Sequence, residues 1–154
     1  MPIDVGTPAP DFTLVNEENQ PVTLSAFRGR PVVLAFFPAA FSGVCTTELC
    51  TFRDQLARLN AAKAQVLGIS VDTFFTLKAF KESQRLTFPL LSDFNKVAIR
   101  AYDAYCDDLI GMHGIAKRAV FVIDGAGVVR YAQVLDSALN EPDYEAVFRT
   151  VDAL

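Results

Sequence analysis

Residues 36–50 read FFPAAFSGVCTTELC, and the way this stretch is read decides the fold. It closes an apolar run, Pro31–Phe37, whose unbroken character is that of a strand buried on both faces. Pro38 ends the run, since proline brings no N–H to a sheet ladder. The small-residue turn AAFSG follows. From Cys45 to about Ala62 the apolar residues Leu49, Phe52, Leu56 and Leu59 then recur at spacings of three and four, the period of an amphipathic helix. Cys45 falls near the helix start, where backbone N–H groups lack partners and favour a thiolate. It therefore reads as a nucleophile. Ser42, three residues upstream, is near enough to aim a hydroxyl at whatever Cys45 attacks.

Working outward, strands and helices alternate. Phe12–Val15 and Pro21–Leu24 flank the polar turn Asn16–Gln20, which predicts a hairpin. Gln65–Val71 is a second buried strand, and Thr73 to about Arg85 a second helix with Asp72 as its N-cap. Phe88–Leu91 is a short strand, followed by a helix near Lys96–Tyr102. Ala119–Asp124 and Val128–Gln133 flank Gly125-Ala126-Gly127, a hairpin signal. Glu141-Pro142 opens a last helix. This order predicts an α/β sandwich with a mixed central sheet flanked by helices and an N-terminal β-hairpin, in a single domain spanning residues 1–154.

Composition excludes several functions. The chain has 154 residues, 51% of them apolar and 21% charged, with a net charge of −4. With no basic block, nucleic acid is not an expected partner. The longest apolar run, Pro31–Phe41, is about half of the roughly 20 residues that a membrane span requires. The N-terminus MPIDVGTPAPDF has no basic region leading into an apolar stretch, so the cytoplasm is the expected location. Three cysteines do not suggest a disulfide framework.

The segment Pro38-Ala-Ala-Phe-Ser42-Gly-Val-Cys45 resembles the signature of the peroxiredoxins, which space a proline, a Thr or Ser and a reactive cysteine in this way. Ala9-Pro10-Asp11-Phe12, Ile69-Ser70-Val71-Asp72, Phe88-Pro89-Leu90-Leu91-Ser92-Asp93 and Arg118 before the strand Ala119–Asp124 are similar to the same family in the same order. Thr46 stands where the family often has proline, and Ser42 where it usually has threonine. Length and the run CTTELCTFRD look most like the peroxiredoxin Q (bacterioferritin comigratory protein) and alkyl hydroperoxide reductase E-like branches. The resemblance implies a thioredoxin-like fold and reduction of hydrogen peroxide and organic hydroperoxides. It also implies a thioredoxin-like or other thiol reductant, no metal or other cofactor, and a monomer or homodimer.

Peroxide reduction needs a deprotonated sulfur and stabilisation of charge spreading over both peroxide oxygens. Cys45 supplies the sulfur. Arg118 supplies a fixed cation with donors for the peroxide, the alternative being a solvated strand-end charge. Ser42 supplies a hydroxyl, or an ordinary N-cap. Pro38 walls the pocket. Glu48, one helical turn after Cys45, can orient Arg118 or be an exposed glutamate in the first turn.

A sulfenic acid on Cys45 needs a second thiol. Five residues along a helix put the Cα atoms of Cys45 and Cys50 roughly 8.6 Å apart, beyond the limit of about 7 Å for a disulfide. Resolution by Cys50 therefore requires local unwinding of residues 45–52; the peroxiredoxin Q branch has a resolving cysteine at this position. The alternative is a one-cysteine enzyme resolved by an external thiol, with Cys50 as a core residue. Cys106 is a further possible resolver, although its aspartate neighbours disfavour a thiolate. His113, the single histidine, keeps open a thioredoxin-like copper-binding module, and a plain interaction domain is the remaining alternative.

Overall fold

The structure, a computed structural model, describes residues 3–137 and 139–154. Its centre is the strand that the sequence marks most clearly, β3 (Val32–Phe36), buried throughout. It pairs in parallel with β4 (Gln65–Ser70), which pairs in parallel with β5 (Leu90–Ser92). On its other side β3 pairs antiparallel with β8 (Ala119–Ile123), and β8 with β9 (Val129–Val134). The N-terminal hairpin, β1 (Thr13–Asn16) and β2 (Pro21–Thr23), joins the far edge through β5. The result is a mixed seven-stranded sheet in the order β2-β1-β5-β4-β3-β8-β9.

Successive side chains of a strand point to opposite faces, and β3 divides the core accordingly. Val33 and Ala35, with Phe37 just beyond, pack with Leu49 and Phe52 of α1 (Gly43–Asp54), Leu77 and Phe80 of α3 (Phe74–Gln84), and Val147, Phe148 and Val151 of α5 (Tyr144–Asp152). Val32, Leu34 and Phe36 face the other way, onto Phe12 and onto Ala98, Ile99 and Tyr102 of the α4 region (α4, Val97–Ala101). A short 3-10 turn, Leu24–Phe27, follows β2.

Four expectations are corrected. The helix expected to run from Cys45 to Ala62 is two, because Gln55 leaves helical geometry (φ −94°, ψ 9°) before α2 (Leu56–Ala61). Thr73, not Asp72, caps α3: its side chain accepts from the Thr76 N–H. Asp72 turns towards the preceding turn instead. The last helix starts at Tyr144 with Asp143 as its cap, so Pro142 precedes it. A small hairpin, β6 (Tyr105–Cys106) with β7 (Ile115–Ala116), occupies a stretch with no strand signal in the sequence. No helix among the described residues is long and apolar enough to cross a membrane.

Candidate active site

The site lies where β3 hands the chain to α1. Pro38 is buried at the strand end, and the turn passes through Phe41 in a left-handed conformation (φ 67°). Ser42 then occupies the N-cap position of α1. Its hydroxyl is neither a cap nor directed at a buried thiol; it donates to the Ala39 carbonyl at 3.0 Å. The helix begins two residues earlier than the pattern predicts, which places Cys45 third in its first turn. There its N–H is among those that α-helical bonding leaves without partners. The Cys45 side chain is fully buried.

Arg118, immediately before β8, is the largest fully buried side chain. Its guanidinium forks: Nη2 donates to Cys45 Sγ at 3.1 Å and Nη1 to Glu48 Oε2 at 2.6 Å. Both expected alternatives, a solvated arginine and an exposed glutamate, are thereby excluded. Residues 45, 48 and 118 meet because α1 lies on the sheet face that Val120 and Val122 share with Val33 and Ala35, while β3 and β8 are neighbours.

Glu48 is wholly buried, and its Oε1 has no hydrogen-bond partner among the described residues. Burial pushes its carboxyl up to about 8; Arg118 pulls the other way, and the Glu141 charge adds to the rise. Burial also pulls Arg118 down, but its contacts with Glu48 and Cys45 outweigh that and leave it above its ordinary range. Burial thus biases the Glu48 carboxyl towards its protonated form while its Oε2 accepts from Arg118 at 2.6 Å.

A stability prediction follows. Between the ordinary carboxyl value of 4.5 and about 8 the folded chain holds a proton on Glu48 that the unfolded chain has released. Its contribution to stability is therefore complete below the lower value and lost as pH rises through the upper one. Thermal melts of wild type should drop between pH 5 and pH 9 by roughly 10 °C more than those of Glu48→Gln, which has no proton to lose. Parallel curves would contradict the protonated carboxyl.

The other thiols lie apart from this cluster. Cys50, further along α1, is half-buried; its Sγ donates to Gln84 Oε1 at 3.7 Å. Cys106 is half-buried in β6, and His113 is exposed in the β6–β7 connection, its Nδ1 2.8 Å from the Asp107 carbonyl. Among the described residues no group of three or more His, Cys, Asp or Glu side chains comes together to hold a metal ion.

A buried thiol at a helix N-terminus, under an arginine that a second buried residue holds in place, defines a cysteine-based redox site. Comparison with known proteins is consistent with that class. Residues 5–132 match the AhpC/TSA family. Alkyl hydroperoxide reductase E of Mycobacterium tuberculosis is 40% identical over 135 residues, 86% of each chain. Chloroplastic peroxiredoxin Q of Oryza sativa subsp. japonica is 39% identical over 129 residues, 84% of this chain and 58% of that protein. Among solved structures, peroxidoxin BcpB from Mycobacterium tuberculosis superposes with a TM-score of 0.88 at 30% identity, covering 99% of this chain and 98% of that one. The bacterioferritin comigratory protein of Xanthomonas campestris gives 0.85 at 26% identity, over 97% and 98%.

The chain therefore belongs to the AhpC/TSA family, the peroxiredoxins. It has their thioredoxin-like fold, and it is a thiol-dependent peroxidase whose substrate is a peroxide and whose reductant is a thiol.

Proposed function

We propose that Cys45 is the peroxidatic cysteine and that Cys50 resolves it. The observation that carries this reading is the Arg118 fork, one arm on Cys45 Sγ at 3.1 Å and the other on Glu48 at 2.6 Å. The Cys45 thiolate attacks one peroxide oxygen, the O–O bond breaks, and the distal oxygen leaves as water or an alcohol once protonated. Arg118 stabilises the thiolate and then the charge developing on the oxygens. Glu48 positions Arg118, Pro38 keeps water from the sulfur, and Ser42 offers its hydroxyl oxygen at the rim. Hydrogen peroxide and organic hydroperoxides are both substrates; the apolar Phe37, Phe41 and Val44 around the turn suit the latter.

The sulfenic acid then condenses with the Cys50 thiol, forming a Cys45–Cys50 disulfide and releasing water. A thioredoxin-like protein reduces that disulfide. Both cysteines lie in the continuous helix Gly43–Asp54, so their bonding requires α1 to unwind locally. The chain works as a single domain in the cytoplasm, as a monomer or a homodimer.

Mass spectrometry after one equivalent of peroxide tests the cycle. Wild type should show a Cys45–Cys50 link and Cys50→Ser a trapped sulfenic acid, with the first turnover equally fast in both. A persistent sulfenic acid in wild type would leave resolution to an external thiol. A Cys45–Cys106 link would assign it to Cys106.

A further inference from the structure

Asp72 stands at the same end of the sheet as the cysteine turn, yet it takes no part in the chemistry described above. It does not open α3, the role its sequence position suggests. Its Oδ2 accepts the Ala40 backbone N–H at 2.8 Å and the Ser70 hydroxyl at 2.7 Å. Ser70 is fully buried, and its oxygen accepts the Asp72 N–H at 3.2 Å. The Asp72 carbonyl accepts the Ser92 hydroxyl at 2.6 Å, and the Asp93 N–H donates to the Ser70 carbonyl at 2.7 Å. The ends of β4 and β5 are tied together in this way, and from that knot one carboxylate oxygen reaches the turn leaving β3.

The turn needs such a tie. Phe41 holds φ at 67°, a region that side chains other than glycine rarely adopt. The bond from Ser42 to Ala39 closes the turn on itself but anchors it to nothing else. The Ala40 N–H ties its middle by a hydrogen bond to the end of β4, beside the packing of Ala40 on the core and of the Phe41 ring on Phe80. Pro38 and Ser42 bracket that amide, and the first-turn N–H groups of α1 follow directly.

We infer that Asp72 is a positioning residue for peroxide reduction: a carboxylate just past the end of the neighbouring strand β4 that holds the Ala40 amide and so sets where Pro38, Ser42 and the first turn of α1 sit beside Cys45. The inference rests on Cys45 being the peroxidatic cysteine. Asp72 acts on the geometry in which a peroxide is held, not on the charge at the sulfur, which Arg118 supplies from just before β8. Oxidation by peroxide and alkylation of the thiol should therefore respond differently. A reacting group displaced by about 1 Å can lose on the order of 100-fold in rate.

The test compares wild type, Asp72→Ala, Asp72→Asn and Cys45→Ser. The readouts are the single-turnover rate of Cys45 oxidation by hydrogen peroxide and the rate of Cys45 alkylation by iodoacetamide. Asp72→Ala should oxidise roughly 30-fold more slowly with no fall in alkylation. Asp72→Asn, whose amide oxygen can accept both donors, should recover to within about threefold. Wild-type oxidation in Asp72→Ala, or an equal fall in both rates, would overturn the inference. Where Asp72→Ala fails to fold, hydrogen exchange in wild type decides: the Ala40 amide should exchange at least about 100-fold below its intrinsic rate, and exchange at the intrinsic rate would overturn the inference. Full peroxidase activity in Cys45→Ser would instead remove the reading beneath it, whatever the Asp72 variants do.

Discussion

Cys45→Ser should consume peroxide no faster than the uncatalysed background, and Arg118→Leu should oxidise Cys45 some 10²–10³ times more slowly than wild type. The first loss is complete because a serine hydroxyl stays protonated where a cysteine reaches its thiolate. The second follows from where the guanidinium sits. Its Nη2 lies 3.1 Å from the sulfur, with both side chains buried, and there charge is poorly screened. Arg118→Lys keeps the charge but not the planar fork that serves Cys45 and Glu48 at once, so it should fall between, about 10–100-fold down. The arginine variants also bear on Glu48. Without Arg118 the carboxyl has no cation to meet when it ionises, so Arg118→Leu should lose more stability at pH 9 than at pH 6. Stopped-flow peroxide competition and melts at both pH values check the set. Activity surviving in Cys45→Ser would displace Cys45 from the centre of the mechanism.

Local signals in the sequence carried most of the fold. The unbroken apolar run into Phe37 marks β3, and its alternation assigns Val33 and Ala35 to one core and Leu34 and Phe36 to the other. The turn and helix start around Cys45 were legible for the same reason, since both depend on neighbouring residues. Contacts across sequence were not. Arg118 reaches Cys45 over 73 positions, and only the resemblance to a known family connected them. Nothing local could show that Glu48 is buried: glutamates on a helix usually sit in water, and only α1 packing flat on the sheet submerges this one. Asp72 shows how a correct local rule is overridden. It is a good helix cap by type, but Thr73 can cap as well, which frees the carboxylate for Ala40. The break at Gln55 and the β6–β7 hairpin depend on how the chain closes over the sheet, and no periodicity announces either.

Phe52→Ala should lower stability by about 3–5 kcal/mol and yet speed formation of the Cys45–Cys50 disulfide. Phe52 is fully buried near the end of α1. Its ring meets Tyr144 edge-on at 5.6 Å and Phe148 at 6.2 Å, both on α5. Truncation leaves a cavity among those rings, so melting should shift down by roughly 10 °C for a chain of this size. Cys50 lies two residues before Phe52, so an unwinding that brings Cys50 to Cys45 pulls Phe52 out of its seat. The contacts that the substitution removes are present in the wound helix and absent in the unwound one. Unwinding becomes easier by up to the same free energy, and each 1.4 kcal/mol is about tenfold in that equilibrium. Quenched-flow mass spectrometry should therefore show disulfide formation at least about tenfold faster than in wild type. The preceding oxidation of Cys45, which needs the wound helix under Arg118, should be unchanged or slower. A lower melting temperature with an unaltered rate of disulfide formation would mean that the helix opens short of Phe52, and that α5 plays no part in holding it shut.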